Sequence, residues 1–148
     1  MDKQIYRFNN DIDTLEISSK GAKITLGVHD EAEIYAEYNN PKDSPEFCAV
    51  LNGKTLTFKE KLSLCLFSAK PDGDYSINVL VPRQMFQKIK VNTASGGAEV
   101  NNVTAQNFDL NTASGCINVN AYFENVKIQS ASGSAYQMVM IGTCKFIF

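Results

Sequence analysis

Apolar and polar residues alternate along most of this chain, the period-two mark of strands with one buried face. No stretch carries the apolar spacing of an amphipathic helix. Ile17, Ile24, Leu26, Ile34 and Tyr38 sit in short runs broken by Gly, Asp or Asn. Phe47-Cys48-Ala49-Val50-Leu51 and Lys54-Thr55-Leu56-Thr57-Phe58 flank Asn52-Gly53. Asn-Gly accepts the positive φ angles of a type I′ turn, so the pattern predicts a hairpin over 47–58. Residues 39–44, with Pro41, read as a loop. In 75–82, Ile77, Val79 and Val81 share a face, and Pro82, which cannot donate to a ladder, ends the strand.

After Pro82 the same string recurs three times. Ile89-Lys90-Val91-Asn92-Thr93-Ala94-Ser95-Gly96 aligns without gaps with Phe108-Asp109-Leu110-Asn111-Thr112-Ala113-Ser114-Gly115 and with Val126-Lys127-Ile128-Gln129-Ser130-Ala131-Ser132-Gly133. The serines before Gly lie 19 and then 18 residues apart, a period that signals a repeat fold. Each unit reads as strand, corner, strand. The first strands bury Ile89/Val91, Phe108/Leu110 and Val126/Ile128. Ser95-Gly96, Ser114-Gly115 and Ser132-Gly133 form the corners, where Gly is free to turn left-handed. The second strands bury Ala98/Val100 and Ile117/Val119, while the third reads Ala135/Gln137 and loses the pattern.

Two geometries fit such units: a meander of hairpins, or a solenoid with coils stacked about 4.8 Å apart. The solenoid is favoured because the same residues recur at every level. Stacking places Lys90, Asp109 and Lys127 in an outward column of alternating sign, which keeps like charges off neighbouring strands. It places Asn92, Asn111 and Gln129 in an outward amide ladder, with Thr93, Thr112 and Ser130 at a tight corner. These two outward columns are the candidate binding face.

A strand ending in Val81-Pro82, followed by repeats of apolar-x-apolar-x-Thr-x-Ser-Gly, resembles the bacterial DUF4097-like putative adhesin family. The resemblance covers about residues 75–148, with a weaker echo, one residue out of register, in Leu15-Glu16-Ile17-Ser18-Ser19-Lys20-Gly21-Ala22-Lys23-Ile24. It implies an all-β chain with a short right-handed β-solenoid or β-helix-like stack of two-strand repeats, and a role in attachment or at the envelope. The family commonly has Asp after Ser-Gly, where this chain has Gly97, Cys116 and Ser134. The expected organisation is one domain over 1–148. An antiparallel β-rich part over 1–83 carries the hairpin at 47–58, and three strand–turn–strand repeats fill 84–148.

Charge and chemistry narrow the function. Residues 1–83 hold 13 acidic and 10 basic side chains, and residues 84–148 only 3 and 4. A net charge of −2 argues against nucleic acid as partner. No apolar run approaches the roughly 20 residues of a membrane span, and Met1-Asp2-Lys3-Gln4 opens no signal peptide. As written, the chain belongs in the cytoplasm; a leader removed from it would place it at the envelope or surface. Cys48, Cys65, Cys116 and Cys144 form no CxxC pair, and reduced, buried thiols are expected. A Cys48–Cys65 bridge would need their strands to pair.

His29, the only histidine, lies in the polar run Gly27-Val28-His29-Asp30-Glu31 and reads as a solvated loop residue. A glycosidase on a β-helix would need two carboxylates roughly 5 to 9.5 Å apart. The repeats offer Glu99, Asp109 and Glu124, which fall on different columns, with Asn118 and Tyr136 stacked on Glu99. Asn102-Val103-Thr104 is a glycosylation sequon only in an exported chain. No catalytic, cofactor-binding or metal-ligating residue is assigned. The expected function is a non-catalytic β-repeat scaffold that binds a protein or glycan partner through its surface. Two alternatives stand: a carbohydrate-active enzyme on a β-helix, and a module that self-associates, as a homodimer, through its C-terminal edge (Cys144-Lys145-Phe146-Ile147-Phe148).

Overall fold

A computed structural model describes residues 2–8, 11–19, 22–40, 47–60, 76–94, 97–113, 117–130, 135–139 and 143–147. These residues form β1 (Asp2–Phe8), β2 (Thr14–Ser19), β3 (Lys23–His29), β4 (Ile34–Asn40), β5 (Phe47–Asn52), β6 (Thr55–Glu60), β7 (Ser76–Pro82), β8 (Met85–Thr93), β9 (Ala98–Thr112), β10 (Ile117–Ser130), β11 (Ala135–Val139) and β12 (Thr143–Ile147). All are strands, joined in one network that turns on itself where the long β9 and β10 bend. Two walls result. Wall I runs β5-β6-β2-β8-β9-β10-β12, and wall II runs β1-β4-β7-β3-β9-β10-β11. The chain is β-solenoid-like, and the hairpin meander is set aside, because the repeats pair in parallel: Ile89 beside Phe108 and Phe108 beside Val126.

Parallel, in-register pairing lines like residues up in columns. Inside wall I, Leu56, Leu15, Ile89, Phe108 and Val126 form one apolar column. Phe58, Ile17, Val91, Leu110 and Ile128 form the next. Inside wall II, Ile77, Ile24, Ala98 and Ile117 stand beside Val79, Leu26, Val100 and Val119. All are buried. At about 1.5–3 kcal/mol for each large apolar side chain, these columns are the main stabilising term. Phe108 and Phe123 add a stacked pair, with centroids 4.3 Å apart.

The expectation of an antiparallel N-terminal part holds only at the edges: β1 and β4 on wall II, β5 on wall I. The weak echo at 15–24 is a full layer, and it is in register. Leu15 pairs with Ile89 and Ile24 with Ala98, at the same sequence separation on both sides of the corner. β6 and β7 lie beside β2 and β3 as a further layer. The β2/β3 layer is thus second in space although first in sequence. Tyr6 and Phe8 of β1 each meet Phe58 of β6 at 6.1 Å, edge to face, joining the two walls at this end.

The corners Ser95, Gly96, Ser114, Gly115, Ser132 and Gly133 lie outside the described residues. Just before them, Ser19, Thr93 and Thr112 stack as a buried polar column, continued in register by Ser130. Hydrogen bonds tie successive layers there, from Ala94 N–H to the Ser19 carbonyl and from Ala113 N–H to the Thr93 carbonyl, both at 3.3 Å. Ser19 Oγ also accepts from Ala22 N–H at 2.9 Å.

Three details depart from the expected geometry. The hairpin closes at Asn52–Thr55, so its central residues are Gly53 and Lys54. Gly53 has φ 63° and Lys54 is not in the positive-φ region, the pattern of a type II′ turn with Gly first. The register slides by two residues, which leaves the buried faces unchanged. Second, Asn101 pairs with Asn120 and Thr104 with Tyr122, so Asn102 and Val103 oppose Ala121 alone. This bulge accounts for repeat spacings of 19 and then 18. Asn102 has φ 60°, a conformation Asn reaches more readily than other side-chain-bearing residues. Third, Asn118 pairs with Tyr136 but Val119 with Met138. Gln137 is skipped, and the third unit regains its apolar position one residue late.

Leu110→Ala, at a fully buried position, is expected to lower stability by about 2–5 kcal/mol in urea denaturation. Asn102→Val should cost about 1–2 kcal/mol, because a β-branched residue is forced to positive φ, while Asn102→Gly should cost nothing.

Candidate functional site

The strands of wall I turn every second side chain outward, and parallel pairing sets those side chains side by side. Glu16, Lys90, Asp109 and Lys127 form one outward row across the strands. Ser18, Asn92, Asn111 and Gln129 form the next. Thr14, Lys88, Asn107 and Asn125 form a third. The six predicted face residues are therefore adjacent on one surface.

Their bonding differs from simple charge alternation. Asn111 Nδ2 donates to Asn92 Oδ1 at 3.0 Å, which forms the Asn92–Asn111 rung of the amide ladder. Asn111 Nδ2 also donates to Asp109 Oδ1 at 3.3 Å. Thr57 Oγ1 donates to Glu16 Oε2 at 3.4 Å, and Asn125 Nδ2 to Asn107 Oδ1 at 3.3 Å. The carboxylates of this wall thus engage neutral donors. Among the described residues, ion pairs instead join Arg7 to Glu33, Lys54 to Asp11 and Arg83 to Asp30.

The outer surface of wall II is less regular. Thr25, Glu99 and Asn118 lie in register, and Asn118 pairs with Tyr136 as expected. Asn101 Nδ2 donates to Glu99 Oε1 at 3.2 Å. Glu99 and Asp109 therefore face outward from different walls, and Glu124 lies exposed on β10 where the chain passes from one wall to the other. The structure does not bring the three carboxylates to one groove. A cavity of about 70 Å3 beneath residues 32–34 is lined by Phe8, Ile12, Ala32, Glu33, Ile34, Pro82 and Gln84. It is well below the roughly 300–1,000 Å3 of small-molecule sites.

His29 departs from its expected loop setting. It ends β3, paired with Pro82, and is half-buried, with its Nε2–H donating to the Glu33 carbonyl. The turn at 30–33 is further fixed from two sides by contacts that local sequence gives no means of finding, since their partners are far away in the chain. Arg7 reaches Glu33 at 2.8 Å and lies over the Tyr35 ring, 5.0 Å from its centroid. Arg83 Nε donates to Asp30 Oδ1 at 2.7 Å. Cys48 is a half-buried free thiol on β5, and Cys65 lies outside the described residues.

Paired in-register layers, an apolar interior and a hydrogen-bonded polar outer wall define a β-solenoid-like scaffold whose shape follows from its repeats. The family model described as Toastrack DUF4097 matches residues 12–136, and the chain belongs to that family. A putative cell adhesion protein from Clostridium sporogenes shares the fold, with TM-score 0.62 at 8% identity, covering 98% of this chain and 97% of that one. A putative adhesin from Parabacteroides distasonis matches with TM-score 0.46 at 13% identity, over 90% of this chain and 67% of that one. A putative lipid binding protein from the same species matches with TM-score 0.38 at 15% identity, over 93% and 74%. No curated protein sequence matches the chain significantly.

The Arg83 hydrogen bond and guanidinium charge hold the Asp30 carboxyl below its ordinary value of 3.8. Since the folded value is the lower one, the contact stabilises the fold above the unfolded carboxylate range. That contribution is lost as pH falls through the depressed folded value. A 13C NMR titration should find the Asp30 midpoint below 3.8 in the native chain and back near it in Arg83→Gln.

Proposed function

We propose that this protein is a non-catalytic β-repeat scaffold that binds a protein or glycan partner through the outer surface of wall I. The observation carrying this reading is the ordered surface of Lys90, Asp109, Lys127, Asn92, Asn111 and Gln129, brought together from three strands. A rigid sheet presents these groups with little conformational entropy left to lose on binding. The likeness to adhesin-named structures favours an envelope or surface setting. The layers wind in the right-handed sense that parallel crossovers take in about 98% of cases.

The scaffold reading is favoured over the glycosidase alternative by the scatter of Glu99, Asp109 and Glu124 over separate surfaces, where no pair can act as acid and base on one bond. A self-associating role draws on a separate observation. Among the described residues, β11 and β12 pair only with β10, so the last layer offers strand edges to a second copy. Multi-angle light scattering should then show a dimer that forms with rising concentration, and a monomer throughout would dispose of this second role.

The binding reading is tested with dye-labelled protein on intact bacterial cells. Asn111→Glu on wall I is expected to reduce cell binding at least about fivefold, and Glu99→Arg on wall II to leave it unchanged. Equal behaviour of the two variants would refute the assignment of wall I. Release of reducing ends from polysaccharide that disappears in Asp109→Asn would favour the enzyme instead.

A further inference from the structure

The basic side chains of this protein are sorted by position. Among the described residues, Arg7, Arg83 and Lys54 each hold a carboxylate. Lys23, Lys59, Lys88, Lys90 and Lys127 make no such pair, and all but Lys23 stand on wall I. Among the described outward residues of β6, β2, β8, β9 and β10 on that surface, the carboxylates Glu16 and Asp109 are engaged by Thr57 and Asn111. In this chain of net charge −2, four of the five lysines without a carboxylate partner among the described residues therefore stand on one wall, beside the paired amides of Asn92 and Asn111.

We infer that the ligand of wall I is an acidic glycan, an extended sugar chain with a carboxylate on alternate residues; this rests on the reading of wall I as the binding face. Lys90 and Lys127 stand on either side of Asp109 in the same row, two strand spacings or about 10 Å apart. They match charges that are sparse along a chain. A nucleic acid is a poor fit, because duplex DNA carries a charge every roughly 1.7 Å of axis. A single strand would also want aromatic platforms for its bases, and the described outward residues of β6, β2, β8, β9 and β10 on this wall include none. Asn92, Asn111 and Gln129 both donate and accept hydrogen bonds, as a row of sugar hydroxyls requires. The ammonium groups, without carboxylate partners among the described residues, meet the glycan carboxylates with no such ion pair to break.

Isothermal titration calorimetry of the full chain at low salt, with an octasaccharide of hyaluronan as probe, tests the inference. Binding is expected to weaken as salt is raised. It should fall about tenfold or more in the double variant Lys90→Gln/Lys127→Gln and stay unchanged in Lys23→Gln on wall II. Circular dichroism of the double variant, whose substitutions are outward, separates lost binding from lost fold. Equal affinity for neutral chitohexaose, unaffected by the double variant, would overturn the acidic preference while leaving wall I as a glycan face. Oligothymidylate binding with the same lysine dependence would overturn the choice of glycan. Absence of binding to every probe would overturn the inference alone, since the cell-binding comparison tests the face independently.

Discussion

Parallel pairing in register is the constraint on which the rest of this molecule depends. Hydrogen bonds between parallel strands are evenly spaced, so any repeat of suitable length can be laid on the previous one without a change of face. Once Ile89 sits beside Phe108 and Phe108 beside Val126, the inward apolar residues of a layer are covered by their equivalents above and below. The polar residues between them are obliged to form outward rows. Interior and surface are two consequences of one register.

That register tolerates local irregularity where the chain turns between walls. The Asn102 bulge absorbs an extra residue at the bend of β9, and the skip at Gln137 absorbs another in β11. At the Asn102 bulge the apolar positions on either side, Val100 and Ala105, stay in the core. A bulge costs a little pairing but preserves the buried face, and loss of that face would cost far more, at about 0.8 kcal/mol for each CH2 returned to water. Repeat length is accordingly less constant than repeat pattern.

The same geometry joins fold to function. Among the described residues, Glu99, Asp109 and Glu124 lie apart on this stacked sheet. The sheet offers instead a flat, rigid array whose spacing is fixed by the backbone. On wall I the neutral donors Thr57 and Asn111 engage the carboxylates, and the lysines are left facing solvent. The distinction between a paired and an unpaired cation turns a decorative charge row into a candidate recognition surface.

The parallel layers of β8, β9 and β10, their buried residues and the two outward columns were legible from local pattern, because strand alternation and matching positions are properties of neighbours in sequence. The family likeness came from the same strings. The layer formed by β6 and β7 was not legible, since Leu56, Phe58, Ile77 and Val79 meet their partners across long separations and out of chain order. Nor were the partners of Glu33 and Asp30, or the choice of Asn111 over lysine by Asp109. Residue alternation alone specifies which face of each strand is apolar. The order of the layers, and which polar groups satisfy one another, follow from folding in three dimensions, because both depend on contacts between segments that carry no mark of each other in the chain.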